Sequence, residues 1–390
     1  IVDGEPETED FQISGSNLFL PGKEIEISLG YDSSNAKVFK GIIISNSQKA
    51  NDDSTLLIVE CRDKAVKMTL DKNSKHYENI SATDIADTLL SAYGITDKDI
   101  NSSTVTHKQL VQFNSSDWDF MISRLDAVTR MCILNNGEVK IKEIVAASQA
   151  AIPAEFGFGD NIIEFEGDID SRVQSEDVKL LSWNYTSQEL EDEEFALNQR
   201  TGGVSTGELG TGQKTTLRAG GKKEPTEQQA LAKTKKLREV LSRITGKVKF
   251  FGRVANPVIP GDFIKLKGLG TNFNGNVFVS AVRHDCSEGN WTTTATLGWN
   301  EKYFTEQINP LSEKASSGEL ASLQGLQTGV ITDIIDADGD FRIKLRLPLV
   351  DSQSEGVYAR LATLDAGNKR GTFFMPEIGD EVVVGFMNNN

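Results

Sequence analysis

The sequence is poor in the residues that most often announce chemistry. Its 390 residues include three histidines (His76, His107, His284) and three cysteines (Cys61, Cys132, Cys286). The cysteines lie far apart with no C-x-x-C pair, and an odd number in so long a chain argues against a disulfide framework. They are expected to be buried free thiols in a reducing compartment. No H-E-x-x-H, P-loop or dinucleotide fingerprint is present, which removes the usual signatures of zinc proteolysis and nucleotide binding. No apolar run approaches the 18 or so residues a membrane-spanning helix needs, and no secretory signal pattern opens the chain. Export would then use another route, or the protein stays inside until something ejects it. Positive charge is scarce as well. With 41 Lys and Arg against 57 Asp and Glu the formal net charge is −16, so the chain as a whole lacks the basic footprint that nucleic acids or anionic membranes require.

What is present is strand texture. Gly reaches 34 and Phe, at 19, outnumbers Trp and Tyr together, a composition suited to short strands joined by tight turns. Glu24 to Leu29 alternates strictly, and Val38 to Ile44 and Leu56 to Val59 follow at hairpin spacing. Near His76 the texture changes. Ser81 is placed to cap a helix carrying Ile85, Leu89 and Leu90, stopped by Gly94. A second helix is expected after Ser115 or Ser116, with Trp118, Met121, Ile122, Leu125 and Val128 at helical spacing. Strands resume around Val139–Ile141 and Ile162–Phe165. Residues 198–224 read as a long loop. Pro225 then opens a helix with Ala230, Leu237, Val240, Leu241 and Ile244 on one face, ending at Gly246. From Val248 to Trp299 the pattern is β again, and a polar, Ser-rich stretch leads into a last all-β unit. The chain starts at Ile1 and ends straight after a strand-like run, so both ends read as cut from something longer.

An internal repeat links the two β regions. Pro21-Gly22 followed by Lys23 to Ile27 has a counterpart in Pro260-Gly261 followed by Asp262 to Leu266, and a Val-Phe pair follows each proline at the same distance (Val38-Phe39, Val277-Phe278). One Pro-Gly turn feeding an alternating strand would mean little. A matched turn, strand and Val-Phe register points to duplicated β-modules and pseudo-symmetry.

Candidate chemistry is sparse. Gly203-Val204-Ser205-Thr206-Gly207 spells a nucleophile elbow, but that motif needs a strand before it and a helix after it, and here it lies in a Gly/Thr-rich loop. Asp336-Ala337-Asp338-Gly339-Asp340 partly spells a calcium loop, yet its Gly is fourth and the twelfth residue is Leu347 instead of a bidentate Glu; an acidic turn fits better. The acidic run Glu189 to Glu194 reads as a solvated segment. Arg342, Lys344 and Arg346 alternate with Phe341, Ile343, Leu345 and Leu347, giving a strand with one apolar and one basic face. Residues 328–390 nonetheless carry six Lys and Arg against ten Asp and Glu, so the basic face is read as solvated or intersubunit and not as a nucleic-acid surface. No catalytic, cofactor-binding or metal-binding residue is assigned and no cofactor is expected.

The C-terminal unit carries a resemblance. Gly329-Val330-Ile331, Asp338-Gly339, Phe341 to Pro348, Ala359 to Thr363, Ala366-Gly367 and, most specifically, Phe373-Phe374-Met375-Pro376-Glu377-Ile378-Gly379-Asp380 through Phe386 resemble the OB domain of VgrG and phage tail-spike proteins. Upstream, Leu110 to Phe120 followed by Arg124-Leu125 is similar to the helix entry of the VgrG hub region. Tyr358 stands where that family often has Trp, and the β-helix needle that follows the OB domain in the family is not within these residues. The resemblance implies a mainly β fold with an inserted α/β region, two similar β-barrel hub modules and a C-terminal OB-type barrel. The expected units are a first hub module (1–75), an inserted α/β domain (76–187), a loop, helix and second hub module (188–305), a linker (306–327) and the OB spike base (328–390). It further implies a non-enzymatic homotrimer in a contractile injection apparatus such as type VI secretion, matching a hexameric inner tube to a three-fold spike. Baseplate proteins, a spike-tip protein and effectors would be its partners, with no nucleic acid and only transient membrane contact. It would assemble in the bacterial cytoplasm and then be ejected. A phage baseplate hub or tail lysin component, or a glycan- or peptidoglycan-acting spike protein, are the alternative readings.

Overall fold

A computed structural model describes residues 1–4, 10–31, 34–51, 55–146, 152, 154–184, 187, 189–197, 200–201, 203–205, 213–219, 223–308 and 325–387. The alternating N-terminal residues form an antiparallel meander of β1 (Glu24–Tyr31), β2 (Ser34–Ala50) and β3 (Thr55–Arg62). Ile1 to Asp3 run along the outer edge of β3, through Leu57 N–H to Ile1 O at 2.8 Å and Asp3 N–H to Thr55 O.

The inserted region follows as β4 (Lys72–Ser81), α1 (Ala82–Ala92), β5 (Lys98–Ile100), β6 (Thr106–Ser116), α2 (Asp117–Ala127), β7 (Arg130–Asn135) and β8 (Glu138–Glu143). Both helices start where the serines predict. Ser81 Oγ accepts from Asp84 N–H, and Ser116 Oγ accepts from Asp119 N–H, each satisfying a backbone donor that would otherwise be left over. Gly94, at φ +68°, ends the first helix. Ile85, Leu90, Phe120, Met121 and Leu125 pack with Val139 and Ile141 into one core. Desolvation pushes the half-buried Cys132 thiol up to about 12, leaving it neutral; Cys61 is also half-buried and Cys286 is exposed, so the three thiols are not the buried set expected.

The second module recruits strands from further away than the sequence suggests. β9 (Ala154–Gly157), β10 (Ile162–Ile169), β16 (Ile244–Phe251), β17 (Phe263–Lys267), β18 (Gly275–Ser287) and β19 (Asn290–Leu297) form one six-stranded sheet in the order β10-β16-β19-β18-β17-β9. β9 and β10 lie at opposite ends of that order, yet only residues 158–161 join them. Four residues reach at most about 14 Å, so the sheet must roll until its ends meet at that corner. Ile244, Val248, Ile264, Leu266, Val277, Val279 and Ala295 fill the resulting barrel. Residues 154–169, grouped by sequence with the inserted domain, therefore hydrogen-bond into the second barrel.

Between these strands, β11 (Asp177–Asn184), β12 (Glu189–Ala196) and β15 (Lys214–Ala219) form a sheet under α3 (Pro225–Leu241), and β13 (Arg200–Thr201) pairs with β14 (Val204–Ser205). The β11–β12 hairpin runs across the expected 187/188 boundary. Part of the expected loop is thus strand: β15 pairs in parallel with β11. α3 ends at Leu241, earlier than the glycine predicts, because Trp299 N–H reaches Leu241 O at 3.0 Å and Ile244 already starts β16. Gly246, at φ +145°, instead lets β16 pass close to Glu166 O of β10.

After a short helix α4 (Phe304–Ile308), the C-terminal unit comprises β20 (Leu326–Asp333), β21 (Arg342–Arg346), β22 (Val357–Arg360), β23 (Ala366–Gly367), β24 (Arg370–Gly371) and β25 (Glu381–Gly385). Its sheet order is β22-β21-β20-β25. Ile331, Ile343, Leu345, Leu347 and Val350 form the core, joined by Val111 and Phe113 from β6. The barrel therefore sits directly on the inserted domain, where His76 Nδ1 also lies 2.9 Å from Ser354 Oγ. Most of the linker expected at 306–327 falls outside the described residues.

Candidate assembly surface

The duplication is visible in backbone hydrogen bonds. Leu20-Pro21-Gly22-Lys23 and Ile259-Pro260-Gly261-Asp262 are type II turns with glycine at φ +94° and +86°, the conformation that position demands. In each, the last residue's N–H returns to the first residue's carbonyl (Lys23 to Leu20, Asp262 to Ile259, both 3.2 Å). The glycine N–H donates to the neighbouring strand (Gly22 to Ile43 O, Gly261 to Val279 O, both 2.8 Å). That strand answers through Ile43 N–H to Lys23 O and Val279 N–H to Asp262 O, both 2.9 Å. A β-bulge follows at the next step in both, between Ile43 and Ser45 and between Val279 and Ala281.

These bonds correct the Val-Phe match. Glu24 pairs with Ile42, and the equivalent Phe263 pairs with Phe278. Phe278 therefore corresponds to Ile42 and not to Phe39, because the first module's hairpin is three residues longer.

A third copy of the turn escaped the sequence reading. Glu377-Ile378-Gly379-Asp380 has Gly379 at φ +96°, Asp380 N–H to Glu377 O, Gly379 N–H to Ile331 O at 2.8 Å and Ile331 N–H to Asp380 O at 3.0 Å. Asp262 and Asp380 both also accept from the first residue's N–H, at 3.1 and 2.9 Å. The second and third copies share Gly-Asp directly before an alternating strand, whereas Pro-Gly is shared only by the first and second.

The two β-modules touch. Tyr31, at the tip of the β1–β2 hairpin, stacks on Trp291 of β19 with ring centroids 6.0 Å apart. Its hydroxyl donates to Trp291 O at 3.0 Å and accepts from Trp291 N–H at 3.2 Å. The β7–β8 hairpin spans both modules: Asn136 Nδ2 donates to Lys37 O at 2.8 Å, and Ile133 lies against Gly261.

The residues whose sequence pattern suggests chemistry are otherwise engaged. The Asp336 carboxylate accepts from Arg342 Nε at 2.9 Å and from a terminal nitrogen of Arg342 at 2.8 Å, and also from the backbone N–H groups of Asp338, Asp340 and Arg342. The guanidinium hydrogen bond holds its pKa far below the carboxylate range. The acidic turn is organised by an arginine of its own chain. Lys344 pairs with Glu355 at 2.8 Å, so two of the three basic positions serve the barrel itself. Phe341, expected in the core, is exposed at φ +55° because it belongs to that turn; Ile343, Leu345 and Leu347 are buried as expected. Ser205 ends the two-residue strand β14, and Thr206-Gly207 lie outside the described residues. Each histidine is engaged elsewhere: His76 with Ser354, His107 with Glu227, His284 with Thr293. In the acidic run, Asp192 pairs with Lys179 and Glu194 with Lys214, across the β11–β12–β15 sheet.

What the C-terminal barrel does present is apolar surface. Leu364, Phe374 and Val383 are 97%, 81% and 72% exposed, and Phe373 and Ile378 are open too. The apolar segment Gly371 to Phe374 contributes only its first residue to β24. A unit this small rarely leaves so much apolar surface in water unless something covers it.

A family described as the Alg8 N-terminal domain matches residues 1–288. The chain belongs to that family. Residues 327–390 match the type VI secretion system/phage-baseplate injector OB domain, which bears out the resemblance read in Phe373 to Phe386. No curated protein is significantly similar in sequence. Among solved structures, the E. coli c3393 protein, a type VI secretion component described as structurally similar to the T4 bacteriophage tail proteins gp27 and gp5, superposes with a TM-score of 0.57 at 12% identity, over 94% of this chain and 84% of its own. A tail protein from Neisseria meningitidis gives 0.52 at 14% identity, over 76% and 89%. The Francisella PdpA–VgrG complex gives 0.51 at 12% identity, over 98% and 62%. At such identities the likeness is one of fold, and that fold is the VgrG-like arrangement of hub modules and OB domain.

Proposed function

We propose that the chain is the hub and spike base of a contractile injection apparatus, working as a homotrimer by assembly and not by catalysis. One observation carries this: two β-modules with identical turn, cross-strand and bulge hydrogen bonds in one chain, followed by an injector-type OB domain. Three chains would present six modules, so a six-fold tube could sit on one end and a three-fold spike on the other. Identical subunits in a closed ring repeat one heterologous interface. Baseplate, spike-tip and effector proteins would be the further partners, in a particle built in the cytoplasm and then ejected. We take the second module to include residues 154–169 as well as 244–297, with the OB unit starting near residue 326.

Light scattering on the chain, with class averages of the particle viewed down its axis, tests the reading. A three-chain mass with six-fold density at the module end is expected. A chain that stays monomeric through high micromolar concentration contradicts the assembly, and clearing of purified cell walls in a turbidity assay contradicts the non-enzymatic role.

A further inference from the structure

The C-terminal barrel carries an arm. From Ala362 to Met375 nearly every residue is exposed, although Thr372 N–H to Asp365 O at 3.0 Å and the short β23–β24 ladder hold the arm in a defined hairpin. Such order without burial is unusual, since ordering a segment costs conformational entropy that burial normally offsets. Leu364, Phe373 and Phe374 are 97%, 53% and 81% exposed on it. Its turn holds Lys369 and Arg370, against one carboxylate, Asp365.

A complementary patch lies on the same barrel. Thr328 of β20 is the cross-strand partner of Val383 of β25, and β25 is the edge strand of its sheet. Leu326, Ile378 and Val383 are 71%, 63% and 72% exposed there. Around them stand Glu377, Asp380 and Glu381, all exposed carboxylates. One surface of the barrel is thus apolar with a basic excess, and another is apolar with an acidic rim. Two different patches that match each other in charge and polarity on one chain are what a head-to-tail interface between copies requires, and a repeated head-to-tail contact closes a ring.

We propose that the arm, residues 362–375, clasps the β20–β25 edge of a second copy of this chain, with Leu364, Phe373 and Phe374 covering Ile378 and Val383 and with Lys369 and Arg370 meeting Glu377 and Glu381. The proposal rests on the trimeric reading above and assigns it a contact. It also explains why the most identifying stretch of the barrel is left uncovered within one chain.

The test is a charge swap read by light scattering on the full chain. K369E/R370E is expected to turn a three-chain mass into one chain at micromolar concentration, raising the concentration needed for assembly on the order of 100-fold, because like charges would then face each other across the contact. Adding E377K/E381K is expected to restore the trimer, which a merely misfolded variant would not do. A trimer that survives the first pair, or one that the second pair does not restore, overturns the clasp and leaves the trimer standing. A wild-type chain that never exceeds one chain in mass overturns both.

Discussion

The contact between Tyr31 and Trp291 is the most direct test of how the two β-modules are joined. Trp291 is 3% exposed, and its backbone turns away from β18 at a residue one step beyond the closing pair Ser287–Asn290. Its carbonyl has a second donor, Gly252 N–H at 2.8 Å, whereas its N–H goes to the Tyr31 hydroxyl at 3.2 Å. Tyr31→Phe should therefore cost little at the carbonyl and strand the amide. A neutral hydrogen bond contributes about 1 kcal/mol, which speeds exchange of the Trp291 amide about fivefold if local opening controls it. Tyr31→Ala also removes the ring stacked at 6.0 Å, adding about 1 kcal/mol, so its effect should reach roughly 30-fold. Hydrogen exchange on the peptide around Trp291 reads both values, with the Ala295 amide in the middle of the same strand as the unchanged reference. Exchange at Trp291 indifferent to Tyr31→Ala, or acceleration equal at Ala295, would refute the idea that this hairpin tip joins the modules.

Arg238 predicts a larger effect. It is buried, bonds Asp126, donates to Asn300 O at 2.6 Å and Lys302 O at 2.7 Å, and stacks over Trp299 at 3.8 Å. Arg238→Met leaves a buried carboxylate and two carbonyls without that partner, at a cost of about 3–5 kcal/mol; rapid proteolysis near Lys302 is expected, and wild-type resistance would contradict it. Acid should weaken the fold. Burial lowers His76 and His284, only partly offset by Asp351 and Glu78 around the first and Asp285 beside the second. Below the ordinary histidine value of about 6.5 the unfolded chain then binds more protons than the folded one, so this stability is complete above that pH and is lost as pH falls through it. Melting temperature should drop between pH 7.5 and 5.5, with a shallower slope in H76Q/H284N; an unchanged slope would rule out these two groups as the cause.

Much of the fold was legible because its signals are local. Ser81 and Ser116 announce helices through a hydrogen bond three residues long, and Ile343, Leu345 and Leu347 announce a face through strict alternation. The failures share a different cause, tertiary context. Gly246 looked like a helix stop but serves a close approach to Glu166 from a strand some eighty residues away. The Val38-Phe39 match failed because hairpin length drifts at little energetic cost, while the turn that pins the register cannot. Phe341 reads as core from its place in the alternation, yet it sits in the turn organised by Asp336, and Phe373-Phe374, apolar as they are, face outward. A sequence pattern reports that a side chain wants burial; it does not say whether its own chain supplies the cover.

The three type II turns bear on why such a chain would be rigid enough for its proposed work. In each, a glycine N–H and the following carbonyl lock onto one residue of the adjacent strand, Ile43, Val279 or Ile331. A strand that slipped by one residue would turn its whole apolar set outward, so a fixed point at the start of β1, β17 and β25 sets the face of everything after it. In the OB unit that fixed point sits between the exposed arm and β25. It therefore also fixes where Val383 and Glu381 stand relative to Phe373 and Phe374 on the same chain. If the arm does grip a second copy, this turn sets the geometry by which one barrel addresses the next. Gly379→Ala, strained at φ +96° yet with open space around its Cβ, should then loosen assembly more than it loosens the barrel. Light scattering and thermal melting on the same sample separate the two, and a variant that melts early but still assembles fully would show that the turn serves only the barrel.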